Sequence, residues 1–145
     1  MKKNQLTKNF TLEEFTKSKS AEILKIDNTP NEEEIANIKK LCEDVLQPIR
    51  DAWGEPIYIN SGYRCKKLNE NVGGSKTSQH INGSAADIDS ENNEKLFHKI
   101  VSMVNNGDIT FDQLIDECNY AWLHIGIRTD GKPNRCQILH KGKKR

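Results

Sequence analysis

The chain has 145 residues and a mass of 16.5 kDa, one domain by length and large enough to hide roughly 68–70% of its unfolded surface without disulfide or metal staples. Apolar residues supply 34% and charged residues 30%, with 22 basic against 21 acidic side chains, which excludes the high net charge of disordered chains and offers no basic stripe to nucleic acid. No run reaches the about 20 apolar residues of a membrane span, and Met1 to Lys8 holds no apolar secretory core, so synthesis in the cytoplasm without a signal peptide or membrane insertion is expected.

Thr11-Leu12-Glu13-Glu14 has the form of a capping box and predicts a short helix running towards Ile26. After Thr29-Pro30, the apolar positions Ile35, Ile38, Leu41, Val45, Leu46 and Ile49 recur at steps of three and four, the stripe of a second helix that Pro48 should kink or end and Gly54 close. Ile57-Tyr58-Ile59 is a short β-rich run, and the Gly-, Ser- and Asn-dense stretch after it reads as loop, with Asn69, Asn71, Gly73 and Gly74 most economically turning near a site. A strand is expected from Ser84 to Asp89. Ser90 then caps a helix carrying Leu96, Phe97, Ile100, Val101 and Val104, which Gly107 terminates. Strands follow around Phe111–Ile115 and Ala121–Ile127, with a last one near Gln137–Leu139. Helices first and a small, mainly antiparallel sheet afterwards make an α+β domain over residues 1–145. Cys42, Cys65, Cys118 and Cys136 form no C-x-x-C pair and read as free, mostly buried thiols.

Three side chains of metal-binding type stand out: His80, Asp87 and His124. Gly83 can turn the chain between His80 and Asp87, and the small residues Ser84, Ala85 and Ala86 let backbones approach there. On a strand from Ala121 to Ile127, Trp122, His124 and Gly126 share one face, while Leu123, Ile125 and Ile127 point to the core. Two imidazoles and a carboxylate suit Zn²⁺ with one position left open, although Co²⁺, Mn²⁺ or Ni²⁺ accept the same donors and spacing alone equally suits three unrelated residues.

Read together, Ser61-Gly62-Tyr63-Arg64, Leu68-Asn69, Val72-Gly73-Gly74-Ser75, Ser78-Gln79-His80 through Ala86-Asp87-Ile88, and Trp122-Leu123-His124 closely resemble the zinc D-alanyl-D-alanine carboxypeptidase family. That family also holds phage endolysins that cut stem peptides, and it shares its zinc fold with the hedgehog signalling domain. The resemblance is densest over about 57–127. It implies helices packed on a small sheet, one zinc ion held by His80, Asp87 and His124, and Arg64 holding a substrate carboxylate or carbonyl oxygen. Ser78 would line the same pocket; Gln79 is given no chemistry. Many members carry the proton-transferring acid three residues before the last histidine, where this chain has Ala121. The nearest carboxylates are Asp116 and Glu117, and in a hairpin through Cys118-Asn119-Tyr120 only one can face the metal. Glu117 is preferred, because a branch of the family has D-Q-L-I-x-E before W-x-H, as in Asp112 to Glu117.

The resemblance thus implies a zinc metallopeptidase hydrolysing a peptidoglycan stem-peptide amide, D-Ala-D-Ala or L-Ala-D-Glu. It would be a monomeric phage-type lytic enzyme reaching the wall after release from the cytoplasm. A zinc-containing wall-binding or phage structural protein without catalysis is the alternative. Trp122 divides between core and cleft, Asp89 between a partner of the site and a helix-initiating acid. Arg64 alone would pass for a turn residue. His98 reads as structural, His140 as solvated, and Cys118 lacks the base a nucleophile needs. The basic tail, residues 141–145 with Lys141, Lys143, Lys144 and Arg145, reads as solvated or weakly attracted to anionic wall polymers.

Overall fold

Thr11 N donates to the Glu14 carboxylate at 2.8 Å, the reciprocal arm of the expected capping box, and opens helix α1, Leu12–Thr16. The helix does not continue to Ile26. Lys17 is extended, and the Ser18 side chain accepts from Ala21 N to start a separate α2, Lys19–Leu24. A second serine cap inside the predicted span therefore breaks it. The computed structural model describes residues 4–142, so Met1 to Lys3 and Lys143, Lys144 and Arg145 of the tail lie outside the described residues.

The apolar stripe forms one long helical rod, α3 at Glu32–Leu41, a π-helical turn at Cys42–Leu46, and α4 at Gln47–Trp53. Pro48 does not end it. The wider π turn lies just upstream, and Pro48 falls in the first turn of α4, where a missing N–H costs little. Gly54 closes the rod in the left-handed conformation, as expected. Ile38, Leu41, Val45, Leu46 and Ile49 are wholly buried.

Strand β1 is Tyr58–Ser61, β2 Ala85–Asp89, β3 Gln113–Glu117, β4 Trp122–Gly126 and β5 Gln137–Lys141. They form one sheet in the order β1-β2-β4-β3-β5, antiparallel except for the β3–β5 pair. Helix α5, Lys66–Asn71, occupies part of the stretch read as loop, so Asn69 and Asn71 are helical and the loop begins after them. Helix α6, Asn93–Asn105, is capped by Asn92 rather than Ser90, whose hydroxyl binds the Asn93 side chain instead. The fold is α+β.

Alternation sorts the sheet into two faces. Ile59, Ile88, Leu123, Ile125 and Leu114 join Phe10, which lies just before α1, and the helical Phe15, Ile38, Leu46, Leu96 and Ile100 in one core. The other face carries Asp87, His124 and Glu117 at alternate positions, together with Ile115 and Trp122. Burying a residue such as Leu123, fully inaccessible, is worth about 2–5 kcal/mol against alanine, and that burial fixes which way His124 points. All four cysteines are free as expected, but only Cys42 is fully buried; the other three sit at loops and element ends.

Candidate metal centre

Strand pairing lays the site out in rows. Ser61, Asp87, His124 and Ile115 face one another across β1, β2, β4 and β3, and the next row carries Asp89, Trp122, Glu117 and Lys141 on β2, β4, β3 and β5. Asp87 and His124 are therefore direct cross-strand neighbours, and Glu117 lies one diagonal step from His124.

His80 arrives from outside the sheet, on a 3₁₀ turn at Gln79–Asn82. The Ser78 hydroxyl accepts from His80 N at 3.1 Å, and Gly83 closes the turn at φ +80°. A side chain at Gly83 would meet Glu34 O at 2.7 Å, so α3 and the turn are in backbone contact, and Asn37 Nδ2 donates to Asn82 O at 2.9 Å across the same seam.

One ligand atom from each of His80, Asp87 and His124 lies within 4.8 Å of the others. His80 Nε2 is 3.3 Å and His124 Nδ1 3.1 Å from the same oxygen, Asp87 Oδ1. Bonds of about 2.0–2.1 Å to a tetrahedral zinc would set its ligand atoms about 3.3 Å apart, so these two edges fit that ion. The protonation pattern agrees. A carbonyl can only accept, so the 2.6 Å contact of His80 Nδ1 with Gly62 O puts the proton on Nδ1. That leaves the Nε2 lone pair facing a carboxylate oxygen, which calls for a cation or a second proton between them. Burial pushes the Asp87 carboxyl up, but hydrogen bonding with His124 and His80 outweighs it and holds the group well below the usual carboxylate range.

These residues sit in a groove of about 850 Å³ lined also by Arg64, Ser78, Glu117 and Trp122. Burial raises the Glu117 carboxyl above its ordinary value; His124 opposes this, Asp87 reinforces it and Lys141 opposes it again. Asp116 turns the other way. Its carboxylate accepts from Tyr120 N and contacts His140 Nδ1 at 3.0 Å, on the face beneath α6, where the His140 ring lies 5.1 Å from Phe97. It holds the hairpin turn, whose Cys118, Asn119 and Tyr120 are all left-handed. Arg64 is half-buried; burial disfavours its charged form while Asp87 favours it, and its buried Nε has no hydrogen-bond partner among the described residues.

Several residues given bland readings keep them. Asp89 accepts from Ser90 N and the Asn93 amide, as a helix-leading acid does. His98 is a surface residue of α6 stacked near Phe97 and Tyr120. His140 is largely exposed but is tied to Asp116 rather than free in solvent. Lys141, placed in the solvated tail by sequence, instead ends β5 and lines the groove beside Glu117. Gln79, given no chemistry from the sequence beyond a capacity to orient backbone, donates from its amide to Asp112 Oδ2 at 3.0 Å and Ile127 O at 3.1 Å. Asp112, 1% exposed, also takes the Arg135 guanidinium at 2.9 and 2.8 Å, tying the loop after β4 to the His80 turn. Only its position at the head of D-Q-L-I-x-E marked Asp112 in the sequence.

Comparison with known proteins gives two findings. Residues 8–126 match the family described as Peptidase M15. A 44-residue stretch is 48% identical to the zinc D-Ala-D-Ala carboxypeptidase of Streptomyces albus G, covering 30% of this chain and 17% of that protein, so the match spans about a sixth of the relative's length.

Proposed function

The chain belongs to the peptidase M15 family, and from that premise we propose that it is a zinc-dependent peptidase hydrolysing an amide of the peptidoglycan stem peptide, with His80, Asp87 and His124 holding one zinc ion. The observation that carries this reading is the convergence of three donor atoms within 4.8 Å, in a groove that also presents a guanidinium and a carboxylate of raised pKa. Zinc bound there would polarise the scissile carbonyl and make a water acidic near neutral pH.

The chain's own residues do the rest. Glu117 takes the proton of the attacking water and delivers it to the nitrogen of the breaking C–N bond, so the amine leaves neutral. A carboxyl raised by burial suits both halves of that transfer. Arg64, on the groove wall, offers a planar fork of donors to the substrate's carboxylate or carbonyl oxygen. Ser78 and Trp122 line the groove, Trp122 giving the peptide a flat apolar wall. The cleaved bond is D-Ala-D-Ala or L-Ala-D-Glu, and the protein acts as a monomer in a phage-type lysis role, reaching the wall after release from the cytoplasm. The D-Q-L-I-x-E before W-x-H, as in a branch of the family, supports Glu117 as the proton carrier.

Ala121, standing where many relatives carry the acid, favours a second reading, a zinc-containing wall-binding or phage structural protein without catalysis. Purified zinc-loaded protein incubated with purified walls separates the two. Release of new amino groups, with mass spectrometry of the fragments naming the bond, supports the peptidase. Stoichiometric zinc without any release supports the binding protein.

A further inference from the structure

Residues Gly62–Cys65, which carry Arg64 between β1 and α5, pair with no strand. They are nonetheless anchored at consecutive backbone groups. His80 Nδ1 donates to Gly62 O at 2.6 Å, Tyr63 N to Phe15 O at 2.7 Å, and Arg64 N to His80 O at 3.0 Å. The groups on either side of Arg64 both go to a single side chain. Asn28 Nδ2 donates to Tyr63 O at 3.0 Å, and Asn28 Oδ1 accepts from Cys65 N at 2.8 Å. The remaining Nδ2 hydrogen reaches Thr16 O, the last residue of α1, at 3.0 Å. A carboxamide offers a donor and an acceptor side by side, as a peptide group does, so Asn28 substitutes for the neighbouring strand that this segment lacks.

Asn28 is 9% exposed, lies in the loop between α2 and α3, and is not among the groove-lining residues. Its hydrogen bonds go to Thr16, Tyr63 and Cys65 and none to His80, Asp87 or His124. Losing it would leave Thr16 O, Tyr63 O and Cys65 N without their partner, two of them on the peptide units that aim Arg64.

We infer that Asn28 is a positioning residue for substrate binding, a splint from the helical half of the domain that holds the Arg64 guanidinium at a fixed place relative to His80, Asp87 and His124. This rests on Arg64 contacting substrate as proposed above. Asn93, another amide with several partners, ties Asp89 to the Tyr120 backbone in the hairpin turn and makes no hydrogen bond to the Arg64 segment.

The test is a double-mutant cycle on zinc-loaded protein acting on purified muropeptides. Asn28→Ala lowers kcat/KM by about 10- to 100-fold, mainly through KM, with zinc content unchanged. In the Arg64→Ala background the same substitution changes kcat/KM by less than about threefold, because the group it positions is gone. Equal losses in both backgrounds would overturn the inference, as a merely structural role predicts. Asn28→Asp keeps the acceptor for Cys65 N but sets a second acceptor oxygen against Thr16 O and Tyr63 O, so its loss is at least as large as that of Asn28→Ala; the uncharged, smaller Asn28→Ser is the variant to use if the alanine does not fold. A second readout needs no turnover. Amide hydrogen exchange in Asn28→Ser or Asn28→Ala accelerates at least about tenfold at Arg64 and Cys65 while Ala86 and Ile125 of the central ladder keep their protection. Uniform acceleration, or none, overturns the inference. Wild type that releases no amine would sink the peptidase reading, leaving exchange to decide the splint on its own.

Discussion

Gly62→Ala probes the point where the helical half, the Arg64 segment and the His80 ring meet. A Cβ at this position would lie 2.7 Å from Phe15 Cα and 2.7 Å from Phe15 O, both backbone atoms that no rotamer change can move aside. Reaching ordinary contact at 3.4 Å requires α1 and residue 62 to part by about 0.7 Å. That parting stretches the 2.7 Å bond from Tyr63 N to Phe15 O and tilts Gly62 O, the acceptor of His80 Nδ1. Overpacking of about 1–3 kcal/mol plus a weakened buried hydrogen bond of about 1 kcal/mol gives a loss of about 2–4 kcal/mol. At roughly 3–5 °C per kcal/mol for a chain of this size, Tm falls by about 6–20 °C. Loss of the partner that orients a metal-binding histidine lowers zinc affinity by about 10- to 100-fold. Thermal unfolding and zinc competition against a chromophoric chelator measure both. Gly107→Ala is the control: nothing lies within 4 Å of its Cβ, and its φ of +81° costs about 1–2 kcal/mol in strain alone, so it lowers Tm modestly and leaves zinc affinity unchanged. If Gly62→Ala binds zinc as tightly as Gly107→Ala, the coupling between α1 and the metal centre is refuted.

Glu117→Gln should cut kcat on purified walls by about 100-fold or more while zinc content stays the same, and a variant retaining a tenth of the activity would remove Glu117 from proton transfer. Asp116→Ala, which deprives Tyr120 N of its acceptor in a left-handed turn, should instead lower Tm first and activity only partly; a loss as deep as that of Glu117→Gln with unchanged Tm would reverse the two assignments. Hydrogen bonds from Arg135, against the opposing effect of burial, hold the Asp112 carboxyl below its ordinary value. A lowered folded pKa contributes stability that is full above about pH 4 and is lost as pH falls through the folded value, so the Tm gap between wild type and Asp112→Asn should shrink on acidification from pH 6 to pH 2.5. A gap independent of pH would contradict this.

The site was legible in the sequence through the family resemblance of its motifs, since spacing alone is weak; strand parity then said which face each residue takes. Alternation alone put His124 opposite Leu123 and Ile125, and burial of the two aliphatics enforces it. The choice between Asp116 and Glu117 was open to the same parity argument, and the hairpin register turns only Glu117 to the groove. What was not readable depends on contacts far apart in the chain. Asp27-Asn28-Thr29-Pro30 looks like a turn, and nothing local reveals that the Asn28 amide serves residues 35 and 37 positions away. Pro48 was misleading because a π turn is a property of the whole rod's packing and leaves no periodic mark. Lys66-Lys67-Leu68-Asn69-Glu70-Asn71 has a single buried aliphatic, Leu68, too little for a hydrophobic period to show, so α5 passed for loop.

X-ray absorption at the zinc edge of the loaded protein tests the metal assignment most directly. One zinc per chain with two imidazole nitrogens, one carboxylate oxygen and no sulfur, abolished in His80→Ala, is the expected result. Sulfur in the coordination sphere, or one tightly held zinc persisting in His80→Ala, would place the ion elsewhere and contradict the account.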